Sequence, residues 1–326
     1  MPGANRFREI FRSGPGRPLI VAHRGDSSSA PENTIEAAEA GWAAGADAWE
    51  IDVQLTRDGV AVVVHDPGLA RTTDAPGRFR ADPRAARGFA VADFDWREIQ
   101  TLDAGRWFLD PEGGARSASG FGSRGRLEPV AVRRFESGEV RVPSLTEALA
   151  WTIERDWLVN VELKASFGAP DGLAEAAWAA IQTTGAADRV LVSSFDHELL
   201  ARFARDHPEV AVGVLALTPP YLPAQYVRNW IGADAYHPSG RALGTASAAY
   251  RADPSPGRLR LADIEALRVF RVPFLAFAIE ETLRDGPAEH LAMAGAAGLF
   301  ADDPGGFLRR IAPAQPIRNA HQIPLG

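Results

Sequence analysis

Histidines stand at the ends of two apolar runs, and a pair of carboxylates lies between them in the chain. Leu19-Ile20-Val21-Ala22 leads into His23-Arg24-Gly25, Glu50 and Asp52 follow, and Val60 to Val64 leads into His65-Asp66. A third run, Trp157 to Val161, closes on Glu162-Leu163-Lys164. Carboxylates two apart on a strand share a face, and held that close they repel unless protonated or bridged by a cation. A cation is the less costly answer. The oxygen-only set Glu50, Asp52 and Glu162 suits Mg²⁺ or Ca²⁺, hard ions that fill their other positions with water or substrate oxygen. The alternative is a structural ion network with Arg24 or Lys164. His23 and His65 are the candidate acid and base, because imidazole titrates near the working pH. Arg24 and Lys164 would hold a phosphodiester and stabilise the charge gained in a five-coordinate transition state. Together these residue types imply metal-assisted phosphodiester cleavage.

Such groups need a scaffold that brings strand ends to one place. Short β-branched runs alternate with Ala-rich stretches of helical period, the pattern of βα units around a parallel sheet. Eight runs are predicted as barrel strands: 18–23, 48–53, 157–163, 189–194, 210–216, 233–236, 273–279 and 298–301. Helices are predicted near 33–44, 144–155, 171–184, 196–206, 222–230, 261–269 and 281–295, the first capped by Asn33 or Thr34. The expected fold is a TIM-type (β/α)8 barrel, whose strand carboxyl ends share one mouth. Val60 to Val64 does not fit the repeat. It follows Val53-Gln54-Leu55-Thr56-Arg57 across Asp58-Gly59, with no room for a crossover helix, so it is predicted as an antiparallel hairpin arm that delivers His65 to the rim.

Between Pro67 and Val142 the periodicity dissolves, apart from a possible helix near 93–103. This stretch reads as an insertion between the second and third barrel strands. Its aromatic residues Phe94, Trp96, Trp107, Phe108 and Phe121 are expected to pack it on the barrel, the alternative being that they line a substrate entrance. Residues 1–17 read as an irregular segment in which Phe7 to Arg12 is expected as a frayed terminal helix, an amphipathic turn touching a membrane being the alternative. Residues 18–311 read as one phosphodiesterase barrel, and 312–326 as a Pro-rich irregular tail. His237 ends a predicted strand and is a further candidate for lining the site. His197, His207, His290 and His321 are expected to be solvated, and Asp302 and Asp303 to begin a turn.

Composition narrows the function classes. The 326 residues carry 35 Lys and Arg against 42 Asp and Glu, a net charge of −7, which argues against nucleic-acid binding. No cysteine is present, so disulfides, thiolate metal sites and a cysteine nucleophile are excluded. No run is long enough to cross a bilayer and the first residues hold no apolar leader core, so a cytoplasmic location follows by default. A small-molecule substrate is the expected partner.

These residues also carry a resemblance. Ala22-His23-Arg24-Gly25, Pro31-Glu32-Asn33-Thr34, Glu50-Ile51-Asp52-Val53, Leu55-Thr56-Arg57-Asp58-Gly59 and His65-Asp66 occur in order. Arg71-Thr72-Thr73, Leu102-Asp103-Ala104-Gly105, Val142-Pro143-Ser144-Leu145, Glu162-Leu163-Lys164 and Ser193-Ser194-Phe195 continue the series. In order and spacing the chain resembles the glycerophosphodiester phosphodiesterases. The resemblance implies a TIM-type barrel, a divalent cation, and hydrolysis of a glycerophosphodiester to glycerol phosphate and an alcohol. By matching motif it implies His23 and His65 as acid and base, Glu50, Asp52 and Glu162 as metal ligands, and Arg24 and Lys164 as phosphate partners.

Two departures touch the substrate end. Phe277-Ala278-Ile279-Glu280 stands where members of the family often have Trp-Thr-Val-Asn, and the stretch from Phe108 to Val142 is longer than usual. The last strand also has Ala301 where threonine is common. A rival reading is a lysophospholipase D-like or phospholipase C-like enzyme, which needs an apolar rim. A noncatalytic phosphate-ligand binding protein would lack an acid, a base or a metal ligand, and none is missing.

Overall fold

Strands buried on both faces require cover on both sides, and here the outer cover is helical while the inner one is the barrel's own interior. The computed structural model describes residues 4–14, 16–110, 127–165, 171–244, 260–277 and 287–311. The barrel strands are β1 (Leu19–His23), β2 (Ala48–Leu55), β4 (Leu158–Leu163), β5 (Val190–Ser194), β6 (Ala211–Ala216), β7 (Ala235–Pro238), β8 (Leu275–Ala276) and β9 (Gly298–Ala301), with β3 (Ala61–Val63) outside the ring. They run parallel in the order β7-β6-β5-β4-β2-β1-β9-β8. Parallel bridges Tyr236↔Phe274 and Ser239↔Phe277 join the two ends. The result is a nearly closed eight-stranded TIM-type barrel, as the sequence rhythm predicts.

Alternation along each strand sorts the side chains. Val21, Ala48, Leu158, Leu191, Ala211 and Phe300 pack together inside the barrel, while Ile20, Trp49, Val159 and Val192 pack outward beneath the helices. Continuing by twos from the inward set reaches His23, Glu50, Asp52, Asn160, Glu162 and Ser193. β1, β2, β4 and β5 therefore begin apolar and end polar on the inner face. Helices start on local signals: Thr34 caps Ile35–Ala43 through the Ala37 N–H, and Ser144 with Glu147 forms a capping box on Leu145–Glu154.

The arm is a hairpin. β3 pairs antiparallel with β2, with Val53↔Val63 and Leu55↔Ala61 in register. The insertion packs into an apolar cluster with Ala37, Val62 and Val64, in which its Leu69, Phe94, Leu102, Trp107 and Phe108 are buried; Phe121 lies outside the described residues. Within the expected 93–103 region only Trp96–Ile99 is α-helical. A helix at Pro129–Glu136 was not anticipated.

Residues 1–17 are not irregular over their whole length. A helix, Arg6–Ser13, lies against the starts of the barrel strands, with Phe7 wholly buried in the interior cluster. Asn5 caps it and donates to Ala187 O (2.8 Å) and Val190 O (2.9 Å), while Arg8 pairs with Asp234 at 2.8 Å. The terminal helix is present as expected but docked, not frayed: eight residues have little helical stability alone, and docking supplies the rest. Among the described residues no helix is long and apolar enough to cross a membrane.

Candidate active site

Strand register gathers the acids. β1 sets His23 beside Glu50, and β2 sets Asp52 beside Glu162 of β4. Glu50, Asp52 and Glu162 are all buried, and one oxygen of each lies within 4.8 Å of the others. Glu50 Oε2 accepts the Arg24 backbone N–H (3.0 Å), and its Oε1 has no hydrogen-bond partner. Asp52 Oδ2 accepts from Asn33 Nδ2 (2.7 Å) and lies 3.2 Å from Arg24 Nε. Its Oδ1 lies 2.9 Å from Lys164 Nζ, which also contacts Glu162 Oε1.

The electrostatics follow from this crowding. Burial, reinforced by Asp52, pushes Glu50 up to about 8, and the same two causes raise Glu162. Burial would raise Asp52 as well, yet Lys164, Arg24 and His65 hold it well below the usual carboxylate range. Three facing carboxylates, one with an unpartnered buried oxygen, form a hard-oxygen donor set that fits a divalent cation.

Each histidine is oriented by an aspartate. His23 Nδ1 lies 2.6 Å from Asp302 Oδ1, which Ser27 Oγ also reaches at 3.2 Å. His65 Nδ1 lies 2.7 Å from Asp66 Oδ1. A carboxylate on Nδ1 keeps the proton there and leaves Nε2 for other work. His23 Nε2 points toward the acids, 3.9 Å from Glu50 Oε2. Burial and Arg24 oppose its protonation, but Asp302 and Glu50 outweigh them and lift His23 to about 9. His65 is an electrostatic neighbour of both Asp52 and Glu162.

The β1 end turns sharply. Arg24 has φ 58° and Gly25 φ 82°, and a Cβ on Gly25 would lie 2.4 Å from the Ala37 carbonyl carbon, so only glycine fits. Asn33 also has positive φ, at 60°, and its Oδ1 accepts the Asp52 N–H (3.1 Å) while its Nδ2 donates back. The Arg24 guanidinium faces Glu32 (2.8 Å) and Asp52. The ion network weighed against a metal site is therefore present around Asp52, alongside the three facing acids.

All seven residues expected from the sequence lie around this cluster. Five others were missed as site residues: Asp302 and Asp66 on the imidazoles, Asn33 on Asp52, and Glu32 and Arg71 in the ion network. Asp302 was legible in principle, because the last strand of a closed barrel lies beside the first. His237 is fully buried beside Phe300 and Gly213, both ring nitrogens lacking a hydrogen-bond partner, and burial pushes it down to about 3. His197 is not solvated but bonded to the Tyr226 hydroxyl (2.8 Å) and Leu215 O (2.7 Å), and His207 stacks on Trp178. His290 is exposed as expected. His321 and Glu280 lie outside the described residues.

Residues 23–269 match the model of the glycerophosphoryl diester phosphodiesterase family, a span that includes both histidines and all three acids. The chain belongs to this family. It is 32% identical over 285 residues to a Bacillus subtilis protein named only as uncharacterized YqiK, covering 87% of this chain and 95% of that one. It is 33% identical over 226 residues to a glycerophosphodiester phosphodiesterase of Bacillus altitudinis, covering 69% and 77%. Among solved structures, a phosphodiesterase of Oleispira antarctica in complex with the product sn-glycerol-3-phosphate superposes with TM-score 0.69 at 23% identity, covering 91% of this chain and 98% of that one. A glycerophosphodiester phosphodiesterase of Agrobacterium tumefaciens gives TM-score 0.62 at 24% identity, covering 90% and 99%. These likenesses show that the barrel fold is shared.

Proposed function

We propose that this protein hydrolyses glycerophosphodiesters to glycerol phosphate and an alcohol, with a divalent cation and two histidines. The carrying observation is that Glu50, Asp52 and Glu162 face one another across less than 4.8 Å, with His23 and His65 each held by an aspartate beside them. Glu50, Asp52 and Glu162 would hold Mg²⁺ or Ca²⁺. Such an ion, when bound, neutralises nonbridging phosphate charge and acidifies a nearby hydroxyl.

The chain's own residues account for the proton traffic. One imidazole takes the proton of the glycerol 2-hydroxyl through Nε2 as that oxygen bonds to phosphorus, and the other protonates the departing alkoxide as its P–O bond breaks. Asp302 and Asp66 keep both rings oriented and stabilise the imidazolium forms. Water then opens the cyclic phosphate with the two roles exchanged. Lys164, part-exposed above the acids, is assigned to the phosphate, and Arg24 supplies positive field from behind Asp52. Direct attack by water is the competing route; full turnover of a 2-deoxyglycerol substrate eliminates the cyclic one.

Turnover of glycerophosphocholine tests the reading. Chelation should abolish it and Mg²⁺ or Ca²⁺ should restore it, and Glu50→Gln should be inactive yet folded. Undiminished turnover under chelation, or by E50Q, overturns the metal site. A second reading, preference for lysophospholipids, is favoured by exposed Phe195, Leu217, Tyr221 and Leu222 just beyond β5 and β6. The ratio of lysophosphatidylcholine to glycerophosphocholine turnover decides it.

A further inference from the structure

His65 is not carried by the barrel. It follows β3, three residues long, whose last bond to the barrel is Val64 N–H to Asp52 O (2.9 Å), so beyond Val64 no ladder of the closed sheet continues to set its place. Its backbone is held by the Gln54 amide, which donates to the carbonyls of His65 (3.0 Å) and Asp66, and its ring by Asp66. Asp66 would be free to swing were it not gripped in turn. Arg71 Nε donates to Asp66 Oδ2 (2.6 Å) and Nη2 to Oδ1 (2.9 Å). The other edge of the same guanidinium donates to Glu32, Nη1 to Oε2 (2.8 Å) and Nη2 to Oε1 (2.7 Å). Glu32 Oε1 also accepts from Arg24 Nη1 (2.8 Å), and Arg24 Nε lies 3.2 Å from Asp52. The sequence His65–Asp66–Arg71–Glu32–Arg24–Asp52 is thus an unbroken run of charged contacts.

We propose that Arg71 is a positioning residue that fixes the arm-borne His65 against the carboxylate cluster, acting through Asp66 on one side and Glu32 on the other. Only a planar fork can hold two carboxylates at once in this way; an ammonium matches the charge but not the geometry. Glu32 is 5% exposed, and against that burial Arg71 and Arg24 hold its carboxyl below the usual carboxylate range. The function of Arg71 is therefore geometric, and it rests on the reading of His65 as acid or base given above.

The test uses the cation-loaded enzyme and glycerophosphocholine. Arg71→Met should lower kcat about 10- to 100-fold, the range seen when a supporting partner of a site residue is lost. KM should stay within about threefold, since no substrate contact is removed. Arg71→Lys, which preserves charge and guards against a folding failure of R71M, should lose as much. In an Asp66→Asn background R71M should cost less than about threefold more, because both changes cut one path. Wild-type kcat in R71K, a loss confined to KM, or losses that multiply in the double variant would each overturn the proposal. A second readout needs no turnover. In protein labelled with ¹⁵N-histidine, R71M should move the ring signals of His65, assigned by their absence in His65→Gln, and leave those of His23 in place. Unmoved His65 signals overturn the role of Arg71 even if the activity is as proposed; absent wild-type turnover sinks the proposed activity while the ring signals still decide for Arg71.

Discussion

The two histidines reach the acids by different routes. His23 ends β1, which is bonded to β2 on one side and β9 on the other, and the same register that pairs Ala22 with Ala301 delivers Asp302 to its ring. His65 follows a strand paired with β2 along one edge and with Ser144 by a single bridge on the other. Its aspartate is its own neighbour in sequence and needs loop residues to steady it. A reactive group on a closed sheet inherits its position, whereas one on an arm must have it built by side chains.

That contrast can be broken at several levels. Deleting either imidazole, as His23→Ala or His65→Ala, should lower kcat by about 10²- to 10⁴-fold, measured with saturating glycerophosphocholine; a large loss in one variant alone would mean the pair does not share the proton work. Removing the orienting charges should be milder. Asp302→Asn and Asp66→Asn should each cost about 10- to 100-fold in kcat, but D66N should accelerate amide hydrogen exchange at residues 64–66, whereas D302N should leave exchange at residues 21–23 unchanged because β1 keeps its ladder bonds. Equal exchange at the two sites would erase the distinction between sheet and arm.

The smallest effect concerns the barrel interior, through the buried imidazole of His237. Its pKa is pushed down to about 3 by burial, so between pH 6.5 and 3 the unfolded chain binds a proton that the native one does not. Stability should therefore fall with falling pH by about 1.4 kcal/mol per unit in that window on account of this residue. Denaturant unfolding at pH 5.5 and 4.5 should show the slope shrink by about that amount in His237→Leu. An unchanged slope would mean that His237 is hydrated in the native state.

Much of this arrangement could be read in the sequence because strand chemistry is local. Apolar runs that end in His23, Glu50 with Asp52, and Glu162 with Lys164 announce both the barrel and its mouth, and Asp58-Gly59 announces the hairpin. What could not be read depends on side-chain direction between distant segments. Glu32, Asn33 and Arg71 lie in short motifs whose backbone is irregular, so no periodicity shows that they converge on Asp52 and Asp66. The burial of His237 depends on Gly213 of the adjacent strand leaving space for its ring, a pairing visible only once β6 and β7 are in register. The docking of the helix Arg6–Ser13 escaped because its main stabilising contact, Phe7, lies inside the barrel.

That helix gives the molecule a natural handle. It occupies the end of the barrel where the strands begin, opposite the reaction mouth. A dye or bead linker attached at exposed Arg12 therefore leaves the catalytic opening unobstructed, and immobilised enzyme should present that opening to the bulk liquid.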